Sequence, residues 1–243
     1  TMRGSQDYDA CTSSLAGVAG HIPAQAGDAV GAMRQLMAAA PGVLRWAELP
    51  EPALPSDRGA LVRPLAAATC DFDHLIVAGL APTGMPTPVG HECVAEVMEA
   101  GSGVASVEVG DVVIVPFQIS CGSCDPCQGG LTSCCAAVPW LSCYGLGDLG
   151  GSWGGAVTDL LAVPYADAML VPLPHGVDPA AAAPVGCNIV DAYRCVGPQL
   201  AAVPGADVLV MSGAFASIAL YATAISVALG SSVTFVDPSG DSS

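Results

Sequence analysis

Four cysteines lie close enough together in the sequence to bind one metal ion. Cys121, Cys124, Cys127 and Cys135 follow the spacing C-x2-C-x2-C-x7-C. Four thiolates that close in sequence can converge on a tetrahedral Zn²⁺ and leave no coordination position open. Two disulfides or a set of unrelated core cysteines are the alternatives, although disulfides between such near neighbours would be strained. The spacing therefore predicts a structural zinc in a lobe of about residues 118–140.

A second set of metal-ligand residue types is spread over a longer stretch. Its members are Cys70, His91 and Cys187, and the carboxylates Asp73 and Glu92 stand beside them in sequence. Two thiolates and an imidazole would leave a fourth zinc position for water or substrate, as in catalytic zinc sites. Spacing alone leaves two alternatives open: a catalytic zinc site, or residues that serve only the core. The second is open because a lone buried cysteine commonly serves as a small hydrophobic residue.

Two kinds of element would have to position these residues. Residues 60–65, 94–99 and 111–116 are short apolar stretches divided by Gly and Pro turns, which predicts the strands of a barrel-like β domain. After about residue 190 the pattern changes. Buried-strand runs at 207–212 and 232–236 flank a helical stretch at 216–229, which predicts one β-α-β unit as in dinucleotide-binding folds.

The β-α-β unit offers weak candidates for cofactor binding. Gly213 and Ser217 lie at the strand-to-helix turn, and Asp237 lies at the tip of the second strand, where a ribose-binding carboxylate belongs. The turn carries Ala at 214, 216 and 219 and a bulky Phe215, where phosphate-binding turns have G-x-G-x-x-G. A single β-α-β unit also cannot build a complete dinucleotide site. We therefore expect weak or absent NAD(P) binding. The chain is then either a fragment or a protein that has lost the cofactor half.

The order and spacing of these motifs resemble the zinc-dependent medium-chain alcohol dehydrogenases over about residues 33–237. The resemblance is carried by Cys70, Gly90-His91-Glu92, Gly110-Asp111, the four-cysteine lobe, Gly154-Gly155-Ala156 and Gly186-Cys187. It implies a mixed α/β fold, with a GroES-like β-barrel catalytic domain at 33–185 and a partial Rossmann-like unit at 186–243. Residues 1–32 do not resemble the family and are expected to form an extension.

The resemblance also implies roles for the second ligand set. Cys70, His91 and Cys187 would hold a catalytic zinc, which makes two zinc ions per chain. Glu92 would be a nearby carboxylate that can exchange onto the metal, and Asp73 would orient His91.

One departure from the family concerns proton transfer. Phe72 stands where the family usually has a Ser or Thr, so an alcohol proton needs another exit. The candidates are Glu92, which we expect to be the general acid or base, Asp71 and His74.

The implied activity is oxidation of an alcohol or reduction of an aldehyde or ketone, with zinc as the Lewis acid. The alternative is a non-redox zinc enzyme, a lyase, cyclase or hydrolase, on the same scaffold. The altered turn at 213–219 and Phe72 favour that alternative. A silent binding protein is the third reading, and the complete ligand set opposes it because such groups are costly to bury without metal.

Composition limits the partners of the chain. It has 243 residues, six Arg, no Lys and a net charge of −16, which disfavours nucleic acids and anionic membranes. Eleven cysteines in an enzyme-sized chain indicate metal binding in a reducing compartment, so we expect a cytoplasmic protein. No stretch reaches the ~20 apolar residues of a membrane span. The expected partner is a small-molecule substrate, and a homodimer is a candidate assembly.

Overall fold

The computed structural model describes residues 31–213 and 216–237, and over these residues the strands form three separate sheets. The strands are β1 (Ala32–Ala40), β2 (Val43–Pro50), β3 (Ala60–Ala68), β4 (Thr87–Pro88), β5 (Glu92–Ala100), β6 (Val112–Val115), β7 (Leu161–Val163), β8 (Val171–Pro172), β9 (Val208–Met211) and β10 (Val233–Val236). The helices are α1 (Asp71–Val77), α2 (Asp125–Gln128), α3 (Ala166–Met169), α4 (Pro179–Ala182), α5 (Asn188–Ala202) and α6 (Ala216–Ala228). Short 3-10 turns span Thr132–Cys134, Gly147–Gly150 and Ala183–Gly186.

The largest sheet is antiparallel and has the strand order β7-β3-β5-β6-β8. A second antiparallel sheet has the order β2-β1-β4, with β1 and β2 forming a hairpin. Inward-facing residues of β3, β5 and β6, such as Val62, Ala95 and Val113, are fully buried and form the main core with Tyr144. The Tyr144 hydroxyl donates to the carbonyl of Ala162 at 2.9 Å, so its one polar group is satisfied within that core.

The carboxyl-terminal part is a β-α-β unit. β9 and β10 pair in parallel, with Val208 opposite Val233 and Met211 opposite Val236, and α6 connects them. The apolar face of α5 packs on α6 through Ala192, Val196 and Leu200 against Ala222. The strand–helix–strand order predicted from the apolar runs is therefore confirmed.

The mixed α/β fold class is confirmed, and two elements go beyond the sequence-based expectation: the β1–β2 hairpin and α5. β1 already includes Ala32, the last residue of the predicted extension. The rest of the extension up to residue 30, and Ala214 and Phe215 of the altered turn, lie outside the described residues. The proposed division into domains at 33–185 and 186–243 stays a prediction. Over the described stretches, no helix combines the length and apolar character that crossing a membrane requires.

Candidate metal centres and the adjacent cavity

Cys70 and Asp73 are held by the first turn of α1. Cys70 is the N-cap residue: its Sγ accepts from the backbone N–H of Phe72 at 3.3 Å, and its own N–H donates to Asp73 Oδ2 at 2.9 Å. This reciprocal arrangement is a capping box built with a cysteine. It fixes the thiol and the carboxylate relative to each other through contacts within residues 70–73 alone.

His91 stands in the loop directly before β5, and Asp73 meets it there. His91 Nδ1 lies 3.2 Å from Asp73 Oδ1, and His91 Nε2 lies 3.5 Å from Cys70 Sγ. The Asp73 contact leaves Nε2 as the ring nitrogen that faces the thiols, which is how a carboxylate sets the orientation of a metal-binding imidazole. Gly90 makes the approach feasible, because its φ is +87° and a Cβ there would come within 2.8 Å of Val157.

Cys187 reaches the same place from a distant part of the chain. It precedes α5, and the turn before it passes so close to β5 and β6 that a Cβ on Gly186 would lie 2.6 Å from the Val115 carbonyl oxygen. The ligand atoms of His91, Glu92 and Cys187 lie within 4.8 Å of one another, and so do those of Cys70, Asp73 and His91. His91 belongs to both groups, so the structure brings the whole predicted set together around its ring.

Glu92 is completely buried behind the ligands. Its Oε1 accepts a 2.6 Å hydrogen bond from Asn188 Nδ2, while Oε2 has no hydrogen-bond partner among the described residues. An orphaned buried carboxylate oxygen is costly unless a cation or a proton compensates it. Its position beside His91 and Cys187 therefore fits a metal ion at this centre.

The electrostatics of the metal-free centre agree with a cation site. Burial raises the pKa of Glu92, with the His91 charge and the Asn188 hydrogen bond opposing it. Burial also raises the pKa of Cys187, against the hydrogen bond from His91. For His91, burial lowers the pKa, but its contacts with Asp73, Cys187 and Cys70 outweigh burial and hold the pKa far above its usual range. Without a metal the centre gathers protons on these side chains, and a zinc ion would replace them.

A cavity of about 260 Å³ opens beside this centre. Cys70, His91 and Cys187 face it, whereas Glu92 and Asp73 do not. The remaining lining residues are Phe72, Phe117, Cys143, Leu146, Asn188, Asp191, Ser217 and Ile218. The three ligand side chains can thus hold a metal with one side open to a small molecule, within walls that are mostly apolar.

The four-cysteine lobe forms a second cluster. The Sγ atoms of Cys121, Cys124, Cys127 and Cys135 lie within 4.8 Å of one another. Backbone N–H groups point at three of them: Ser123 and Cys124 donate to Cys121, Cys121 to Cys135, and Ala136 to Cys124, at 3.3–3.4 Å.

Donors directed at sulfur stabilise thiolates, which are the form that binds zinc. Burial alone would raise the pKa of Cys121, but the donors from Ser123 and Cys124 lower it to about 6. The lobe therefore fits a closed zinc site. We expect Cys135 rather than its neighbour Cys134 to be the fourth ligand, because its sulfur lies in the cluster.

The predicted cofactor residues are arranged differently. Ser217 lies in the first turn of α6, where its N–H and its Oγ donate to Asp71 Oδ2 at 2.9 and 2.8 Å. Ser217 Oγ is also 3.1 Å from Asn188 Oδ1. Gly213 follows β9 and Asp237 follows β10, so both lie at the carboxyl end of the parallel pair.

A dinucleotide phosphate does not fit the residues present here. In β-α-β units the pyrophosphate binds at the amino end of the helix. In this protein an acidic side chain, Asp71, already accepts hydrogen bonds at that end of α6.

Sequence reasoning missed several residues of the site. Asn188 holds Glu92, while Asp191, Cys143 and Phe117 face the cavity. Asp191 could have been predicted from the sequence. It lies four residues after Cys187, which caps α5, and residues four apart lie on the same face of a helix. The other three have no comparable local signal.

The comparisons with known proteins agree with this geometry. The family model for the alcohol dehydrogenase GroES-like domain matches residues 56–175. A Mycobacterium tuberculosis protein named as a probable zinc-binding alcohol dehydrogenase is 37% identical over 145 residues, which are 60% of this chain and 36% of that protein. L-galactonate-5-dehydrogenase of Escherichia coli is 30% identical over 208 residues, which are 85% of this chain and 56% of the enzyme.

The solved structure of an alcohol dehydrogenase from Thermus sp. ATN1 superposes with a TM-score of 0.74 at 29% identity, over 84% of this chain and 57% of that one. The chain thus spans from about a third to just over half the length of these relatives. The matched GroES-like domain, the superposed fold and the order of the ligand motifs all agree. The chain belongs to the zinc-dependent medium-chain alcohol dehydrogenase superfamily.

Proposed function

We propose that this chain is a zinc-dependent alcohol dehydrogenase-like oxidoreductase that acts on a small alcohol, aldehyde or ketone. One observation carries the proposal: the side chains of Cys70, His91 and Cys187 all line the same largely apolar cavity, and His91 lies within ligand distance of each cysteine. Bound there, zinc would polarise the hydroxyl or carbonyl oxygen of the substrate. A second zinc in the four-cysteine lobe would stabilise the fold without taking part in the reaction.

Asp73 orients the imidazole of His91 toward the metal position. Its Oδ2 is fixed by the Cys70 N–H, so its Oδ1 presents a rigid acceptor to His91 Nδ1. The imidazole then keeps its Nε2 lone pair toward the cavity side. Both residues are buried, so water does not compete for this hydrogen bond.

Glu92 contributes charge from behind the ligands. Its carboxylate faces Asn188 and does not line the cavity, so direct proton exchange with a substrate is not supported by the geometry. The general acid or base expected at Glu92 from the sequence stays a prediction. We propose instead that Glu92 balances the charge of the metal ligands, with Asn188 fixing one of its two oxygens.

Proton transfer is better placed on Asp191. Of the other candidates, Asp71 is bound to Ser217 and His74 is exposed and does not line the cavity. Asp191 stands at the cavity wall in the first turn of α5, with 32% of its side chain exposed and a 3.5 Å contact to Arg194. It is the carboxylate in the lining of this cavity, and its partial exposure connects it to bulk water.

The cavity walls indicate the class of substrate. Phe72, Phe117, Leu146 and Ile218 surround the ligand side chains, and His91 meets the Phe117 ring edge-on at a centroid distance of 6.3 Å. Burial raises the pKa of the Cys143 thiol to about 12, so this wall residue stays neutral. A substrate with an apolar body and one hydroxyl or carbonyl group matches these walls.

The experiment compares zinc-loaded and zinc-depleted protein on a panel of aliphatic and aromatic alcohols and aldehydes, with NAD(P) supplied at millimolar concentration. His91→Ala should abolish turnover, and the exposed His175→Ala serves as the matched control. Turnover that persists in zinc-depleted protein or in His91→Ala would overturn the proposal. The non-redox alternative is not favoured by the relatives, which are named as dehydrogenases.

A further inference from the structure

Asp71 makes a contact that the chemistry at the metal centre does not need. Its Oδ2 accepts from both the N–H and the Oγ of Ser217, a residue 146 positions later in the chain. The contact joins the start of α1 to the start of α6, and of the two residues Ser217 lines the cavity beside the metal centre. It is half-buried, so solvent screens it only in part.

The place of this contact is the amino end of the connecting helix of the β-α-β unit. α6 has 13 residues, and its first turn contains no acidic residue of its own. The unpaired N–H groups and the helix dipole make this end attractive to an anion. Asp71 supplies that anion from a distant part of the chain.

We propose that the Asp71 carboxylate is an internal competitor for the phosphates of a dinucleotide, so that this chain binds such a phosphate at α6 only when the Asp71–Ser217 contact opens. The proposal rests on the proposed function in one respect: it takes a dinucleotide as the redox partner of the enzyme. A phosphate entering this place would lose the Ser217 donors to Asp71 and would face a like charge at short range, which opposes binding.

The contact also extends toward the metal centre. Ser217 Oγ is 3.1 Å from Asn188 Oδ1, and Asn188 donates to Glu92 through its other amide atom. Opening the contact would therefore free Asn188 on the side of α6. The hydrogen bonds from Ser217 to Asn188 and from Asn188 to Glu92 would then connect a phosphate at α6 with the metal centre beside Glu92.

The test measures binding without turnover, so that its outcome is separate from that of the activity assay. NADH binding to the zinc-loaded 243-residue chain is followed by fluorescence for the wild type, Asp71→Asn and Asp71→Gly. Asp71→Asn removes the charge but keeps an oxygen that can cap α6, and Asp71→Gly removes the side chain. We expect both variants to bind NADH at least about tenfold more tightly than the wild type.

Asp207→Asn is the matched control. It removes one negative charge from the same β-α-β unit, at the exposed residue before β9 and away from the amino end of α6. The proposal is overturned if the two Asp71 variants bind NADH no more tightly than Asp207→Asn, because the contact would then serve only to cap α6.

A second measurement on the unmodified protein keeps the proposal testable if the Asp71 variants do not fold. Calorimetry compares adenosine with ADP, which adds two phosphates to the same nucleoside. We expect ADP to bind no more tightly than adenosine, since its phosphates meet Asp71. A tenfold or greater gain for ADP would overturn the proposal.

Discussion

Asn188 Nδ2 donates a 2.6 Å hydrogen bond to Glu92 Oε1, and the two residues are 96 positions apart in the chain. The bond joins the first residue of α5 to the first residue of β5, directly behind His91 and Cys187. Both side chains are almost completely buried. One oxygen of the carboxylate is thus fixed by the protein, and the other is left for the charge of a metal centre.

Glu92→Gln should keep zinc and lose most turnover. The amide has nearly the shape of the carboxylate but not its charge, and loss of a group just outside the metal ligands typically costs 10–100-fold in activity or affinity. Turnover and zinc content are measured on the same preparation. Zinc loss from the cavity-side centre would instead make Glu92 a ligand, and near-normal turnover would show that its charge is not needed.

Asn188→Ala should destabilise the protein by about 1.5–3 kcal/mol, the range for a hydrogen bond to a charged group. Urea unfolding measures the change. The double variant Glu92→Gln with Asn188→Ala should lose less than the sum of the two single variants, because the pair interacts directly. Additive losses would mean that the 2.6 Å contact contributes nothing to stability.

Asp73→Asn should weaken zinc binding at the cavity-side centre by about 10–100-fold, because Oδ1 no longer accepts from His91 as a charged group. Competition with a coloured chelator measures the affinity. Asp178→Asn is the matched control, since Asp178 caps α4 through a 3.1 Å bond from Ala180 and lies outside the ligand sets. Equal affinities in the two variants would remove the orienting role of Asp73.

The local elements of this protein could be predicted from its sequence because each depends on a local pattern. The apolar runs around β9 and β10 and the helical stretch of α6 are examples, and all three are present. The resemblance to the family is also confirmed, because it rests on several short motifs in a fixed order.

The contacts that give the site its particular character were not predictable in this way. Asp71–Ser217 and Glu92–Asn188 each join elements distant in sequence, and no periodicity or spacing connects such residues. Glu92 was expected to act on the substrate because it neighbours His91. Its hydrogen bond to Asn188 and its absence from the cavity lining depend on contacts between elements distant in sequence.

Cys124→Ser should cost at least about 4 kcal/mol of stability, because binding energy at a closed zinc site is folding energy. In a chain of this size that corresponds to about 8–16 °C in Tm. Cys195→Ser replaces an exposed free thiol outside both ligand sets and should change Tm by no more than a degree or two. Similar Tm values for the two variants would contradict a zinc-dependent lobe.

The Cys121 thiol should titrate near pH 6 in the zinc-free protein. Its pKa lies below the ordinary value of 9.0, so the stability that its thiolate contributes is complete above about pH 9 and is lost as the pH falls through about 6. The ultraviolet absorbance of thiolates, compared between wild type and Cys121→Ser, measures the titration. If the absorbance difference between the two proteins is already lost near pH 9 as the pH is lowered, the N–H groups of Ser123 and Cys124 do not stabilise a thiolate at Cys121.

The most direct measurement of the central claim is the zinc content of freshly purified wild type and His91→Ala, determined by elemental analysis alongside turnover. Zinc bound by Cys70, His91 and Cys187 together with zinc in the lobe predicts two ions per chain in the wild type. His91→Ala should retain about one ion, keep the fold and lose turnover. A wild type with one ion or none, or a His91→Ala variant that keeps both ions and its turnover, would contradict a catalytic zinc at this cavity.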